Sequence, residues 1–351
     1  PVDEPTASIA TDTLSPSPCP IIPRPQEISI HGGRLRITAC RLSVVGSTEA
    51  THSAEAWLAE QLAPACFVEG ATATTVQLRF THRDTLGPEA YELRIAAGGI
   101  DVLAGRPQGF FYAAVSLAQL VEIDTGTVSL PQLSIKDHPR FAYRGFMLDC
   151  ARHFHDKATI IALLDHMARL KLNHFHWHLT DDEGWRLPVA GLPELTARGA
   201  WRGEHEALAP QFGSGPERYG GYYRREDIRE IVAFATRRHI TVTPEIDIPG
   251  HSRAAIRAQP DLWQEPADAS DYTSVQLYKD NVLNPALPGT YQFLEQVLDE
   301  VCALFPGRYV HIGGDEVPDG VWEGSPTCQA MLAEHGYDSV KDLQRYLLEH
   351  A

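Results

Sequence analysis

Apolar positions along this chain keep one rhythm up to about residue 138 and another from Phe141 onward. In the first stretch, β-like runs (Thr75 to Phe80, Tyr91 to Ile95, Ile100 to Leu103) lie between turn residues such as Gly87-Pro88 and Gly98-Gly99. Gly109 to Val121 reads as a helix, because Phe110, Ala114, Leu117 and Val121 recur at helical spacing. Residues 21–138 therefore predict a small α+β domain. Residues 1–20, rich in Pro, Ser and Thr without a period, predict a flexible tail.

From Phe141, strands and amphipathic helices alternate. Gly145 to Cys150 reads as a short apolar strand. A helix follows from about Lys157 to Leu172, with Ile160, Leu163, Leu164, Met167 and Leu170 on one face and Asp156 as N-cap. The next units are the strand His174 to Thr180, the helix Glu226 to Arg238 and the strand Ile240 to Ile246. The helix Tyr291 to Leu304 and the strand Tyr309 to Ile312 complete the series. Such alternation predicts parallel βα units. Polar residues gather where the strands end: Asp149 and Arg152, Asp181 and Asp182, Glu245 and Asp247, Asp315 and Glu316. In an α/β (β/α)8 TIM barrel that is the catalytic face. Residues 139–351 are assigned to it. Phe141 to Ala351 supplies 211 residues and four strong βα units, against about 250 residues and eight units in a complete barrel. The expectation is about the first half of a barrel, from a truncated chain or one needing a partner to cover open sheet edges. The long Gly/Pro-rich loop from Gly191 to Tyr223 would overhang the catalytic face. Trp185, Trp201, Tyr219, Tyr222 and Tyr223 lie in or beside it, each fit to stack on a sugar or to pack inside.

Composition narrows the function. Of 351 residues, 43% are hydrophobic and 22% charged, a globular profile consistent with two domains. The formal charge is 30 − 46 = −16, which argues against nucleic acid and anionic membrane as partners. No apolar run approaches the roughly 18 residues of a membrane span, and no signal peptide is visible. Cys19, Cys40, Cys66, Cys150, Cys302 and Cys328 are scattered without metal spacing. They read mostly as reduced, buried residues, which leans toward a cytoplasmic setting.

Three segments carry the chemistry. Val310-His311-Ile312-Gly313-Gly314-Asp315-Glu316 ends an apolar strand in two glycines and two adjacent acids. Adjacent strand residues face opposite ways, so both acids can serve one cavity only where the strand bends. Crowding there favours one protonated carboxyl beside an ionised one, as glycoside cleavage requires. The bland alternative is a solvated acidic turn. In His174-Phe175-His176-Trp177-His178-Leu179-Thr180-Asp181-Asp182, period-2 geometry puts the three histidines on one face. They suit either a zinc hydrolase or hydrogen bonds that brace the acids. Pro244-Glu245-Ile246-Asp247-Ile248-Pro249-Gly250-His251 places a proline in a would-be central strand, a local violation of the kind found at functional sites. Gly250 can aim His251 into the pocket.

Together with Gly145-Phe146-Met147-Leu148-Asp149-Cys150-Ala151-Arg152-His153-Phe154, these motifs resemble glycoside hydrolase family 20, the β-N-acetylhexosaminidases. The match runs in order from Gly145 to about Trp322. The resemblance implies an exo-acting retaining enzyme on oligosaccharides ending in GlcNAc or GalNAc. It implies Glu316 as general acid/base and Asp315 as the residue that orients the substrate's own 2-acetamido nucleophile. Asp181 and His251 match a relay beside the acid, and Arg152 an exposed fork for sugar hydroxyls. Trp322 is expected at the mouth of the site and Asp182 in a structural role. No cofactor or resident metal is expected. The family's remaining acetamide-pocket aromatics lie on later strands, so the 351-residue chain alone is expected to turn over little. Two other readings stand beside this one: a silent sugar-binding module, and a metal-dependent hydrolase on the three-His face.

Overall fold

Every second residue of Tyr91–Ala96 is buried (Tyr91, Leu93 and Ile95), and this alternation sets the inner face of the first sheet. The computed structural model describes residues 20–38, 42–66, 76–124, 127–211 and 213–351. It divides into a unit ending at Arg140 and a unit Phe141–Ala351. The first unit runs β1 (Glu27–Thr38), β2 (Leu42–Val45), α1 (His52–Cys66), β3 (Val76–His82), β4 (Tyr91–Ala96) and β5 (Gly99–Ala104). It continues through α2 (Pro107–Gln119), β6 (Glu122–Asp124) and β7 (Thr127–Asp137). Its sheet has the order β1-β7-β4-β5-β3-β2, with β6 on β7. The β5-β3-β2 pairs are parallel and the others antiparallel. Helix α2 begins two residues before the expected Gly109, with Pro107 in its first turn, where the missing N–H costs nothing. Gly109 to Leu117 are all buried, as suits a helix covered on both sides. Phe111 meets Trp57 of α1 edge-on at 5.4 Å, and Phe110 meets Phe80 of β3 at 5.6 Å. Thr75 and the expected tail up to residue 19 lie outside the described residues.

The second unit runs β8 (Gly145–Asp149), α3 (Lys157–Arg169), β9 (His174–Asp181), β10 (Gly184–Trp185), α4 (Glu194–Ala197) and β11 (Trp201–Arg202). Then come β12 (Tyr219–Gly220), α5 (Arg225–Arg237), β13 (Thr241–Ile246), α6 (Arg253–Ala258) and α7 (Pro260–Trp263). It closes with α8 (Pro288–Leu304), α9 (Pro326–His335) and α10 (Val340–His350). β8, β9 and β13 are adjacent and parallel, with Gly145 and Thr241 both opposite His174. The Asp156 carboxylate accepts the Thr159 N–H at 2.8 Å and starts α3. In α5 the buried stripe is Ile228, Ile231, Val232 and Ala235, as its spacing predicts.

The run Tyr309 to Ile312 is less of a strand than its composition suggests. It makes a single parallel bridge, His311 to Glu245. His311 N–H donates to the Pro244 carbonyl at 2.9 Å, and Ile246 N–H to the His311 carbonyl at 3.0 Å. Gly313 and Gly314, at φ 65° and 98°, then turn the backbone away, and Tyr309 is 69% exposed. Pro244 donates nothing, yet its carbonyl serves the ladder.

The long loop before α5 is tied down rather than open. It carries α4 and the β11–β12 pair. Trp185 and Tyr223 are core residues, which settles them as packing. Arg218 covers Trp201 at 3.9 Å and Arg202 covers Tyr219 at 4.7 Å, while Tyr222 is exposed. The fully buried Arg186 donates to the carbonyls of Cys150, Ala151, Ala200 and Gly221 at 2.6–2.9 Å. It thereby pins the loop to the end of β8. Burial, and then Arg202, push its guanidinium down to about 10. Cys150 and Cys328 are buried free thiols, but Cys302 is exposed on the outer face of α8, against expectation. Cys19 and Cys40 lie outside the described residues. No described helix is long and apolar enough to cross a membrane.

Candidate active site

Asp181, the last residue of β9, is the best-held carboxylate at the strand ends. Its Oδ2 accepts from His178 Nε2 at 2.7 Å and lies 2.8 Å from Arg152 Nη2. Its Oδ1 accepts the Asp182 N–H at 2.7 Å and His251 Nδ1–H at 3.2 Å. All its lone pairs are used, three of them by cationic side chains. Burial opposes the charge, yet His178 and then His251 hold this carboxyl below the usual range. Arg152 Nη2 also lies 3.3 Å from His251 Nδ1. That nitrogen cannot accept from Arg152 while donating to Asp181, and the ionised partner wins. Asp181 and Asp182 outweigh burial and lift the His251 imidazole to about 11.

The acid pair sits on the other side of the same ring. His251 Nε2 lies 3.4 Å from Glu316 Oε2, and Gln276 Nε2 donates to that oxygen at 3.3 Å. Asp315, Asp247 and His251 bring carboxylate and imidazole atoms within 4.8 Å of one another. Both carboxylates therefore serve one place, and the glycines explain how. Gly313 holds φ 65°, and a Cβ there would lie 1.7 Å from Asp247 Oδ1. Gly314 N–H donates to that same oxygen at 3.2 Å. Glu316 itself is left-handed at φ 48°, as is His251 at φ 50°. Strained non-glycine backbone of this kind collects at functional sites. Asp315 and Glu316 are both solvent-exposed.

Around them lies a second layer of acids. Asp182 accepts from Arg253 N–H at 3.1 Å and Asn281 Nδ2 at 3.0 Å, which anchors α6. Glu183 Oε1 accepts from Tyr278 Oη at 3.1 Å. Its buried Oε2 lies 3.3 Å from Arg152 Nε, paired in charge but without a hydrogen bond. Burial, with Asp181 and Asp182 adding, pushes the Glu183 carboxyl up to about 7. Asp247 is also pushed up to about 7, by burial first, with His251 opposing and Asp315 and Asp181 adding.

The three-His face does not converge on one point. His174 stacks on Tyr143 at 4.5 Å, while His176 and His178 both donate to Glu245 Oε2 at 2.6 Å. His311 Nδ1 lies 2.9 Å from Glu245 Oε1 and faces the Gly313 N–H at 3.1 Å. His176, Glu245 and His311 offer donor atoms within 4.8 Å, and so do three sets around Asp181, Asp247 and His251. Imidazole–carboxylate contacts already account for these groupings.

The glycosyl hydrolase family 20 catalytic domain matches residues 141–351, and that family's domain 2 matches residues 18–138. The chain belongs to glycosyl hydrolase family 20. A beta-hexosaminidase of Vibrio furnissii is 47% identical over 97% of this chain and 55% of its own length. The N,N'-diacetylchitobiase of Vibrio harveyi is 45% identical over 65% of the chain and 29% of its own length. A crystal structure of the Vibrio harveyi family 20 exo beta-N-acetylglucosaminidase in complex with N-acetylglucosamine superposes with TM-score 0.90 at 45% identity. It is covered over 52% of its length by 95% of this chain. The chain thus spans between 29% and 55% of the length of these relatives.

Measured against the family expectation, four of the six expected site residues share one spot. Asp181, His251, Glu316 and Asp315 meet around a single imidazole. Arg152 joins them, but its fork is not exposed as expected. Its side chain is 25% accessible and bound by Asp149, Asp181 and Glu183, because three acids converge where β8 and β9 end. Trp322 does not line the mouth. It is 2% exposed, donates its indole N–H to the Leu283 carbonyl at 3.1 Å, and packs with Val282, Val321, Cys328 and Leu343. A cavity of about 400 Å³ beside it is walled by Trp263, Glu265, Tyr272 and Asp280, away from the acid pair. Glu183, Gln276 and Tyr278 escaped the sequence reading. Glu183 follows two acids that already explained the motif, and Gln276 and Tyr278 sit in an aperiodic loop.

Proposed function

We propose that this protein is an exo-acting retaining β-N-acetylhexosaminidase that cleaves terminal GlcNAc or GalNAc by substrate-assisted catalysis. One observation carries the reading: His251 stands between the locked Asp181 at 3.2 Å and the solvent-facing Glu316 at 3.4 Å, with Asp315 beside it. A relay that holds a proton-transfer group at the edge of an open site is what general acid catalysis needs. In the proposed sequence, Glu316 gives its proton to the glycosidic oxygen as the bond from C1 breaks. The substrate's acetamido carbonyl oxygen bonds to C1 and forms an oxazolinium-like ring. Asp315 holds the acetamido N–H and balances the positive charge. Water then attacks C1, Glu316 takes its proton, and the ring opens with net retention. No enzyme carboxylate is glycosylated, a known exception among glycosidases. Arg152 retains N–H groups beyond those aimed at acids, and these can meet ring hydroxyls.

We read residues 139–351 as the first part of the (β/α)8 barrel and residues 21–138 as the small α+β domain before it. Among the described residues β8 pairs only with β9, and Phe146 and Met147 on it are 43% and 46% exposed. Unpaired strand edges of this kind want cover. The 351-residue chain alone is therefore expected to turn over a chromogenic N-acetylglucosaminide barely or not at all, and brisk turnover would refute that. The mechanism is tested on the full-length protein with a thiazoline mimic of the bicyclic intermediate. Competitive inhibition far tighter than by GlcNAc is expected, and normal turnover insensitive to the thiazoline would overturn the substrate-assisted route.

A further inference from the structure

We propose that the His178 imidazolium, clamped between Glu245 and Asp181, is a positioning element: it locks Asp181, and through it the His251 ring that faces Glu316. The inference rests on the glycosidase reading above and gives Glu245 and His178 a task within it.

The geometry is specific. His178 Nδ1 lies 2.6 Å from Glu245 Oε2, and its Nε2 lies 2.7 Å from Asp181 Oδ2. An ionised carboxylate only accepts, so both ring nitrogens must donate, and a ring with two N–H groups is a cation. A neutral His178 would satisfy one acid and set a lone pair against the other. The side chain is 4% exposed, so water does not relieve that conflict. The clamp is also rigid from behind. His178 and Glu245 sit opposite each other in the β9–β13 ladder, and His176 shares the same Glu245 oxygen at 2.6 Å. His311 approaches the other oxygen at 2.9 Å. The result is one continuous row of contacts: His176, Glu245, His178, Asp181, His251, Glu316. The other charged groups facing the row are Arg152 on Asp181, Asp182 at 3.6 Å from His251 Nδ1, Asp247 within 4.8 Å of His178, Asp181 and His251, and Asp315 beside His251 and Asp247. Arg152 competes for the oxygen that His178 holds. Without His178, Asp181 is free to follow Arg152 and draw His251 from Glu316. Neither Glu245 nor His178 touches the acid pair, so the role is positioning.

The test uses the full-length protein with Glu245→Gln, which keeps shape and removes charge. Turnover of a chromogenic N-acetylglucosaminide should fall about 10- to 100-fold, with KM barely moved, as for displaced orienting groups elsewhere. With Asp181 as its one ionised partner, His178 gives up its proton at a lower pH than in wild type, and once it does Asp181 is less balanced, so Glu316 holds its proton more tightly. The alkaline limb of kcat/KM should therefore move to higher pH. Glu245→Asp should restore the limb and part of the rate. A folded Glu245→Gln protein with unchanged kcat and unchanged pH limb overturns the proposal. If wild type is active and Glu316→Gln is dead while Glu245→Gln is normal, this inference alone fails. A wild type inactive on hexosaminides sinks the glycosidase reading instead. Should Glu245→Gln not fold, ¹⁵N imidazole NMR of wild type decides. Both His178 nitrogens should carry protons at about pH 8, well above the usual histidine range, and a neutral ring there overturns the clamp.

Discussion

Asp181 and Glu316 flank one imidazole and are held in opposite ways. The Asp181 side chain is 0% exposed and surrounded by donors on every lone pair. The Glu316 side chain is 45% exposed, and its contacts to His251 and Gln276 are long, at 3.4 and 3.3 Å. The buried acid cannot meet a substrate, whereas the exposed one can. The comparison separates two tasks that the sequence presents as similar acidic motifs. On the proposed mechanism, orientation is placed where water is excluded and electrostatics are strong, and proton transfer where a ligand can enter. The exposed acid is held by those long contacts and by its own left-handed backbone, φ 48° at Glu316, on a turn that Gly313 adopts freely at φ 65°.

Removing each acid in turn sharpens this contrast. Glu316→Gln should lower kcat in the full-length protein by about 10³-fold or more, toward the upper range for a lost general acid/base. Asp315→Asn should cost a comparable factor, because the substrate's nucleophile loses its guide. Both are surface changes, so denaturant midpoints should stay within about 0.5 kcal/mol of wild type. Asp181→Asn should do the reverse in balance. Turnover should fall less, about 10²-fold, while stability should drop by about 3 kcal/mol as buried cations lose their partner. Equal stability losses for Asp181→Asn and Glu316→Gln would break the distinction between the two regions.

The sequence showed one of these regions better than the other. The alternation of apolar runs revealed βα units, because burial on a strand or helix leaves a period. Gly313-Gly314 before Asp315-Glu316 signalled a bend, because only glycine leaves Asp247 room there. The buried clamp was less legible. His176 and His178 shared a face as expected, but Glu245 as their common acceptor depends on the β9–β13 register, which no local pattern encodes. Trp322 misled for a related reason. An aromatic near an active-site acid in sequence says nothing about which side of the backbone it occupies, and its left-handed φ of 64° turns it into the core. Arg152 misled because the acids that bind its guanidinium come from the ends of two strands, β8 and β9, whose pairing no local pattern encodes.

Gly313→Ala probes the strained side at intermediate cost. The new methyl would lie 1.7 Å from Asp247 Oδ1, so Asp247 or the backbone must move. A left-handed alanine adds about 1–2 kcal/mol of strain. Stability should fall by about 2 kcal/mol or somewhat more by urea titration, and turnover should fall with it as Asp315 and Glu316 shift. Unchanged turnover would show that the acid pair does not depend on this bend.

The last test concerns the buried region alone and is read from pH. His178 and His251 are lifted to about 10 and about 11 by their carboxylate partners, whereas in the unfolded chain both titrate near the usual value of about 6.5. A folded-state pKa above the unfolded one means that the folded protein binds extra protons between the two values. Stability from these groups is therefore full below about pH 6.5 and is lost as pH rises through 10 to 11. Asp247 and Glu183, raised to about 7, act in the same direction at lower pH, their contribution fading as pH rises through about 7. Glu245 works the other way. Burial opposes its charge, but His176 and His178 hold it below the usual range, so its contribution is lost on acidification. Urea midpoints should accordingly be highest in mildly acidic solution and decline steadily from about pH 7 to pH 10. Glu245→Gln should flatten that decline, because His178 then keeps only one ionised partner and releases its proton earlier. A wild-type midpoint that stays level from about pH 7 to pH 10 would mean that the two imidazoles do not carry the charge their contacts demand. The locked region would then be held by packing alone.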